Sequence, residues 1–146
     1  MSQLKETITR LKNLDAERDA LNNIPERIKI LELEYEGLKA ASTESFRVSG
    51  GGENRQEESQ LNNIMQRQNL ERDFTRTKME VDQMENALAT LKPTDRMVLD
   101  VFFVNRPRNY MDVLCEELHC EVAHVYRIKE KALLELTRRL CGQINL

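Results

Sequence analysis

The sequence predicts an all-α protein, and its composition is the first indication of this class. Of its 146 residues 5% are aromatic and only 5 are glycine, whereas Glu, Lys, Arg, Leu and Met are abundant. This composition argues against a β-sandwich or barrel and favours long helices. Because 32% of the residues are charged, much of the helical surface must face water. We therefore expect an N-terminal coiled coil or helical hairpin, a long helix, and a C-terminal helix-turn-helix.

The termini, the apolar runs and the cysteines exclude several protein classes. The first residues lack the apolar core of a signal peptide. The longest apolar run is residues 101–104, far short of the roughly 20 residues that span a bilayer. The cysteines are odd in number (Cys115, Cys120 and Cys141) and suggest no disulfide framework. We expect a cytoplasmic protein with no membrane partner.

The first 41 residues have helical spacing with one expected interruption. Leucine and isoleucine recur every three or four residues on either side of Pro25, as they do along one helix face. A proline inside a helix removes an amide donor and crowds the preceding turn, and Asn22 and Asn23 are turn formers. The segment is therefore interpreted as an αα-hairpin or a kinked coiled coil.

Residues 42–58 show neither helical nor strand spacing and contain three consecutive glycines, Gly50–Gly52. We interpret them as a flexible connector, in which Phe46 and Val48 are unexplained apolar residues. A phosphate-binding glycine loop is the alternative. No strand precedes the glycines and no Gly-Lys-Ser/Thr follows them, so this alternative is disfavoured.

Residues 59–91 are predicted to form one long helix with an apolar seam in its second half. The seam continues as far as Leu91 at alternating steps of four and three residues. A single amphipathic helix cannot bury such a seam alone, so it must pair with the N-terminal helices or with a second copy. The residues expected to hold a homo-oligomer together, a dimer being favoured, are Leu4, Leu11, Leu21, Ile28, Leu31, Tyr35, Leu38, Phe74, Val81, Met84 and Leu88.

Residues 92–146 are predicted to form a small domain of short helices. Pro93 begins it, a loop surrounds Pro107, and two helices follow from Tyr110 to about Cys141. Counted from Met111, a helix-turn-helix needs a small fifth residue, Cys115, and a ninth in the left-handed conformation, His119. Its five apolar places are also filled, by Leu114, Leu118, Cys120, Val125 and Ile128.

The charge distribution leaves nucleic-acid binding open. The whole chain has a net charge of −3 and would by itself argue against that function. Residues 122–140, however, contain five Lys and Arg against two Glu. A basic stripe beside a helix-turn-helix is typical of DNA-binding modules.

Three stretches carry a resemblance to region 4 of sigma-70-type transcription factors. They are residues 91–99, beginning Leu-Lys-Pro-Thr-Asp-Arg, residues 110–120, Tyr-Met-Asp-Val-Leu-Cys-Glu-Glu-Leu-His-Cys, and residues 125–136, beginning Val-Tyr-Arg-Ile-Lys-Glu-Lys-Ala. In that module the helix-turn-helix reads promoter DNA. The order of helices, linker and sigma-like module is also similar to small phage late-gene transcriptional regulators of the ArpU/RinA kind. The resemblance implies residence in a bacterial host cell.

The resemblance also implies which residues meet DNA. The base-reading residues would be Val122, Ala123, His124, Tyr126 and Arg127, of which His124 and Arg127 can bond to base edges. The phosphate contacts would be Arg106, Arg108, Asn109, Lys129, Lys131, Arg138 and Arg139. Glu121 stands where related modules have Ser or Thr as the helix cap, and it would repel phosphate.

Metal binding and catalysis have little support in the sequence. Cys115, His119, Cys120 and His124 lie within ten residues. A zinc site, however, needs ligands that converge tetrahedrally, and both cysteines already have packing places in the motif. No nucleotide loop and no nucleophile with a spaced base is present. We expect a non-enzyme without cofactor or metal.

The function expected is sequence-specific regulation of transcription, as an activator by resemblance alone. Double-stranded promoter DNA is the expected partner, and bacterial RNA polymerase is a possible second one. Two alternatives remain open: an adaptor that binds polymerase or mimics sigma without touching DNA, and a DNA-packaging recognition subunit of the small-terminase type. The regulator hypothesis requires the face carrying His124 and Arg127 to be free rather than packed against the N-terminal helices.

Overall fold

A computed structural model describes residues 2–44 and 52–142, with side chains described for 2–41 and 55–142. Every regular element in these ranges is helical, which confirms the all-α prediction. A π-helical turn, Asp100–Val104, follows the third helix. The α-helices are α1 (Gln3–Glu44), α2 (Gly52–Ala89), α3 (Pro93–Leu99), α4 (Tyr110–Leu118) and α5 (Val122–Cys141).

Helix α1 continues through Pro25, so the αα-hairpin, one of the two interpretations of this segment, is wrong. A proline inside a helix costs about 3 kcal/mol because one hydrogen bond is lost and the ring crowds the preceding turn. Apolar side chains on both sides of Pro25 remain packed: Leu21 and Ile28 are half-buried and Leu31 is buried. Their burial offsets the cost and holds the helix together.

The connector predicted at residues 42–58 is too long at both ends. Helix α1 extends to Glu44 and α2 begins at Gly52, so residues 53–58 are helical. These residues are mostly Glu, Gln and Arg, which are good helix formers even without a periodic apolar pattern. Residues 45–51, with Phe46 and Val48, lie outside the described ranges.

Helix α2 ends at Ala89, two residues before the predicted end at Leu91, and Pro93 is the first residue of α3. Helix α3 ends at Leu99 and passes directly into the π-helical turn. That turn closes with a 2.8 Å hydrogen bond from the Asn105 amide to the Asp100 carbonyl. No helix within residues 2–44 and 52–142 has the length and apolar character needed to cross a membrane.

The chain divides into two compact units. Unit 1 comprises Met1–Arg18 together with Met79–Leu146, and unit 2 comprises Asp19–Lys78. These boundaries differ from the predicted segments 1–41, 42–58, 59–91 and 92–146. The difference arises because α1 and α2 each contribute one part to each unit.

Unit 1 has an apolar core built from all five helices. Leu11 and Leu14 of α1, Met84 of α2 and Leu136 of α5 are among its most deeply buried side chains. Two buried threonines join α1 to α5: the Thr7 and Thr137 hydroxyl oxygens lie 2.9 Å apart. Each hydroxyl also bonds to a carbonyl of its own helix.

Unit 2 pairs the remaining parts of α1 and α2 through a buried polar contact. The Asn63 amide donates to the Leu31 carbonyl at 2.8 Å, and its oxygen accepts from the Arg67 guanidinium at 2.9 Å. Arg67 in turn lies 4.8 Å from the centre of the Tyr35 ring. This contact was not predicted, because the first half of α2 is rich in polar side chains and its spacing shows no apolar seam.

Candidate nucleic-acid interface

Helices α4 and α5 are joined by three residues, His119, Cys120 and Glu121. His119 has φ 51° and ψ 45°, the left-handed conformation that the spacing predicts for this place. The Cys120 amide donates to the Cys115 carbonyl at 3.2 Å. A single left-handed residue at a helix end reverses the chain sharply, so α5 can pack back against α4.

The apolar residues expected to hold these helices together do form one cluster. Leu114 and Val125 are its fully buried members from α4 and α5, with Val98 of α3 and Phe102 of the π-helical turn. Partly buried residues complete the cluster, among them the remaining predicted positions Cys115, Leu118, Cys120 and Ile128. The cluster fixes the orientation of α5 and therefore determines which of its side chains face water.

The five predicted base-reading residues are all exposed on the first half of α5. Val122 and Tyr126 are 47% and 40% exposed, and Ala123, His124 and Arg127 are exposed as well. We call these five residues the α5 face. Within unit 1, Val122, Ala123, His124 and Arg127 are exposed to water, whereas the Tyr126 ring also packs edge-on against Phe102 of the π-helical turn.

The predicted phosphate contacts fall into three groups by their surroundings. Arg138 and Arg139 form ion pairs with Glu135 of the same helix. Arg108, Asn109 and Lys131 are exposed, and the Asn109 side chain does not cap α4. The third group is Arg106 and Lys129, which lie over aromatic rings.

Four aromatic side chains form what we call the aromatic hub: Phe102, Phe103, Tyr110 and Tyr126. The Phe102 ring is central, with its centroid 5.1 Å from those of Phe103 and Tyr110 and 5.9 Å from that of Tyr126. These residues come from the π-helical turn, α4 and α5. The hub was not predicted, because nothing in the local spacing indicates that three separate segments meet at one ring.

Two cations lie on the hub. The Arg106 guanidinium carbon is 3.7 Å from the centre of the Tyr110 ring and 5.5 Å from that of Phe102. The Lys129 ammonium is 4.9 Å from the Phe102 centroid and 5.1 Å from the Tyr126 centroid. A cation within about 6 Å of a ring centroid is attracted by the negative face of the ring.

Negative charge also borders the α5 face. Glu121 occupies the cap position of α5, but its side chain makes no capping hydrogen bond. It is exposed, as are Asp112, Glu116 and Glu117 on α4. These carboxylates make the α4 side of the interface unfavourable for a phosphate backbone.

The cysteines and histidines of this region do not gather into a metal site. Within the described ranges no group of three or more His, Cys, Asp or Glu side chains is placed to hold a metal ion. All three cysteines are free thiols, and Cys115 and Cys120 pack in the apolar cluster. His124 is exposed on the α5 face.

The residues expected to join two copies are buried or half-buried within a single chain. Leu11, Leu31, Val81, Met84 and Leu88 are buried within one chain. The other six predicted residues are half-buried: Leu4, Leu21, Ile28, Tyr35, Leu38 and Phe74. Packing within one chain therefore buries five of the predicted residues and leaves the other six partly exposed, and their role in joining two copies stays a prediction.

Comparison with known protein families places the chain in one of them. The family described as "Protein of unknown function (DUF1492)" matches residues 37–137, and the chain belongs to that family. The match includes α2, α3, α4 and most of α5. No curated protein and no solved structure matches the chain.

Proposed function

We propose that this member of the DUF1492 family is a sequence-specific DNA-binding regulator of transcription that inserts the first half of α5 into the major groove. The observation that carries the proposal is the exposure of the α5 face next to a packed α4–turn–α5 arrangement. A major groove admits one α-helix, and a helix docked there needs such an unobstructed face.

The chemistry of the α5 face suits a site with modest direct readout. The Arg127 guanidinium can donate two hydrogen bonds to the O6 and N7 atoms of a guanine, and His124 can bond to a base edge. Val122 and Ala123 can contact the methyl group of thymine. Because Val122 and Ala123 offer only methyl contacts, the preferred site is expected to tolerate A·T-rich sequence.

Self-association is the second part of the proposal. Two copies reading adjacent half-sites bind more tightly than one weakly basic module, since the second binding event becomes intramolecular. Unit 2 keeps several exposed apolar side chains that are free for such a contact: Ile30, Leu33, Leu61 and Met65. Sedimentation of Leu33→Gln beside the natural chain tests this part, and an unchanged oligomeric state contradicts the involvement of Leu33.

DNA binding is tested with the full chain and fluorescent duplexes taken from the genome that encodes it. We expect binding that weakens steeply as salt rises, because bound cations release counterions from the phosphates. Arg127→Ala should lose the preference for one sequence over another, by about 1–3 kcal/mol. Arg139→Ala is the matched control, since Arg139 is paired with Glu135, and it should keep the preference. Absence of salt-dependent binding to any duplex contradicts the proposal.

A protein-interaction adaptor is the second candidate, and the carboxylates of α4 favour it. Asp112, Glu116, Glu117 and Glu121 present negative charge beside the α5 face, where a basic partner such as a polymerase surface would be attracted and a phosphate backbone repelled. Replacing both Glu116 and Glu117 by Gln separates the candidates. Tighter binding to DNA supports the regulator, whereas weaker binding to purified polymerase with unchanged binding to DNA supports the adaptor.

A further inference from the structure

The aromatic hub brings two positive charges to one buried ring. Phe102 is only 7% exposed, yet both the Arg106 and the Lys129 charges lie within 5.5 Å of its centroid. Each charge is attracted by the ring, but the two charges repel each other. Each charge can still attract an anion, because a ring contact does not cancel it.

Neither charge is neutralised by a carboxylate among the described residues. The ion pairs of α5 in those ranges are those of Arg138 and Arg139, which share Glu135. Arg106 and Lys129 have ring contacts instead. A ring holds a cation in place without cancelling its charge, so these two cations remain available to an anion.

The hub also fixes where the two charges lie. Arg106 follows the π-helical turn by two residues and stacks on Tyr110 at the start of α4. Lys129 follows Tyr126 by three residues on α5, and its ammonium lies over both the Tyr126 ring and the Phe102 ring. Because Tyr126 belongs to the α5 face, the pair of cations lies on the flank of that face.

We propose that Arg106 and Lys129 bind phosphate of the DNA backbone beside the groove that α5 enters, and that Phe102 is the positioning residue that holds them there. This inference rests on the proposed function. It assigns the main phosphate contact to the ring-held pair rather than to Arg138 and Arg139, which share the single Glu135 carboxylate in exposed ion pairs.

The number of phosphates contacted is read from the dependence of DNA affinity on salt. The slope of log K against log salt decreases by about 0.9 for each phosphate contact that is lost. Arg106→Gln and Lys129→Gln should each reduce the slope by about this amount and weaken binding on specific and nonspecific duplexes alike. Arg106→Lys and Lys129→Arg should restore most of the slope. Arg138→Gln and Arg139→Gln are the controls and should leave it unchanged.

The positioning role of Phe102 is tested by removing the ring while keeping both charges. Phe102→Leu should weaken DNA binding several-fold with both cations still present, and its thermal unfolding shows whether the fold persists. Should that variant unfold, Tyr110→Leu removes the nearest ring of Arg106 at a half-buried position and should weaken binding in the same way. Unchanged affinity in a folded ring variant overturns the positioning role.

The outcomes separate this inference from the proposed function. If the natural chain binds duplex DNA but Arg106→Gln and Lys129→Gln keep its salt slope, the ring-held pair is not a phosphate contact and only this inference fails. If the natural chain binds no duplex, both fail. Inorganic phosphate should compete no better than chloride at equal ionic strength; stronger competition that disappears in the double Gln variant would assign the site to free phosphate and overturn the assignment to DNA.

Discussion

Unit 1 and unit 2 are both helical, but they are held together in different ways. Among the described side chains, eighteen in unit 1 are buried and two in unit 2 are buried, Leu31 and Asn63. In unit 2 a pair of helices leaves the outer side of each helix in water. In unit 1 three further helices cover those sides, so its apolar seam becomes a core.

The difference teaches how each unit obtains a defined structure. Unit 1 relies on burial of apolar surface, worth about 25 cal/mol for each Å² removed from water. Unit 2 buries less and specifies its pairing through Asn63, whose amide meets the Leu31 carbonyl. A single buried Asn is a known means of setting the register of paired helices at some cost in stability.

The largest expected effect comes from a cavity in the core of unit 1. Leu114→Ala removes a side chain with no exposed surface and should lower the free energy of unfolding by about 2–5 kcal/mol. Leu61→Ala in unit 2 changes a side chain that is 57% exposed, and it should stay within about 0.5 kcal/mol. Chemical denaturation measures both. Equal losses would contradict the contrast between the units.

Asn63→Ala should have the next largest effect and should act on unit 2. It removes the contact to the Leu31 carbonyl and leaves the Arg67 guanidinium without its acceptor. The loss of a buried hydrogen bond of this kind costs about 1–3 kcal/mol. Native-state hydrogen exchange should show faster opening of amides in residues 19–78, with those of α4 and α5 unchanged. Asn62→Ala, at the exposed neighbouring position, is the control, and an equal effect there would remove the role assigned to Asn63.

Removing a glycine should stabilise unit 2, whereas introducing one should stabilise unit 1. Gly37 lies inside α1 with open space around it, so Gly37→Ala should stabilise unit 2 by about 0.5–1 kcal/mol. His119 has positive φ, so His119→Gly should relieve strain in unit 1 by up to about 1 kcal/mol. Thermal unfolding measures each change. His119→Ala is the control: it keeps a Cβ in the left-handed conformation and should not stabilise the fold.

The smallest expected effect depends on pH and concerns Glu17 of unit 1. Burial raises the pKa of the Glu17 carboxyl above its ordinary value, the Glu80 carboxylate raises this pKa further, and the Arg10 guanidinium opposes them. A raised pKa in the folded state means that protonation stabilises the fold, so this stability is present at low pH and is lost as pH rises through the folded pKa.

Glu17→Gln therefore should be more stable than the natural chain at neutral pH, and the difference should disappear below the ordinary pKa of a glutamate. Unfolding measured across this pH range tests the prediction. Glu130→Gln, at an exposed position of α5, is the control for the loss of a charge. A constant advantage of the Glu17 variant at every pH would show that its charge is not the cause.

Helices α4 and α5 could be predicted closely because their information is local. The apolar places Leu114, Val125 and Ile128 and the left-handed place His119 are fixed by spacing along the chain, and the structure has them as expected. The exposure of His124 and Arg127 follows from the same spacing, since residues opposite a buried stripe face water. What they bind is not contained in that pattern and stays a proposal.

The spacing of the sequence does indicate that Asn63 is buried, but the polar composition of this part of α2 hides the pattern. Continuing the four-and-three spacing of the seam backward from Phe74 gives Leu70, Arg67 and Asn63, and these side chains are half-buried or buried. The polar character of two of them hid the pattern. A spacing test that ignores polarity would have found them.

The sequence by itself determined the all-helical class, where α4 turns into α5, and which residues line the α5 face, because these features depend on composition and on neighbours a few positions apart. Tertiary structure alone decided that α1 continues through Pro25, that both long helices contribute to two units, and that Phe102 gathers Arg106 and Lys129. These outcomes depend on packing between segments distant along the chain. The packing energy that offsets the cost of Pro25, and the contacts that hold Arg106 and Lys129 at one ring, come from residues that local spacing does not identify.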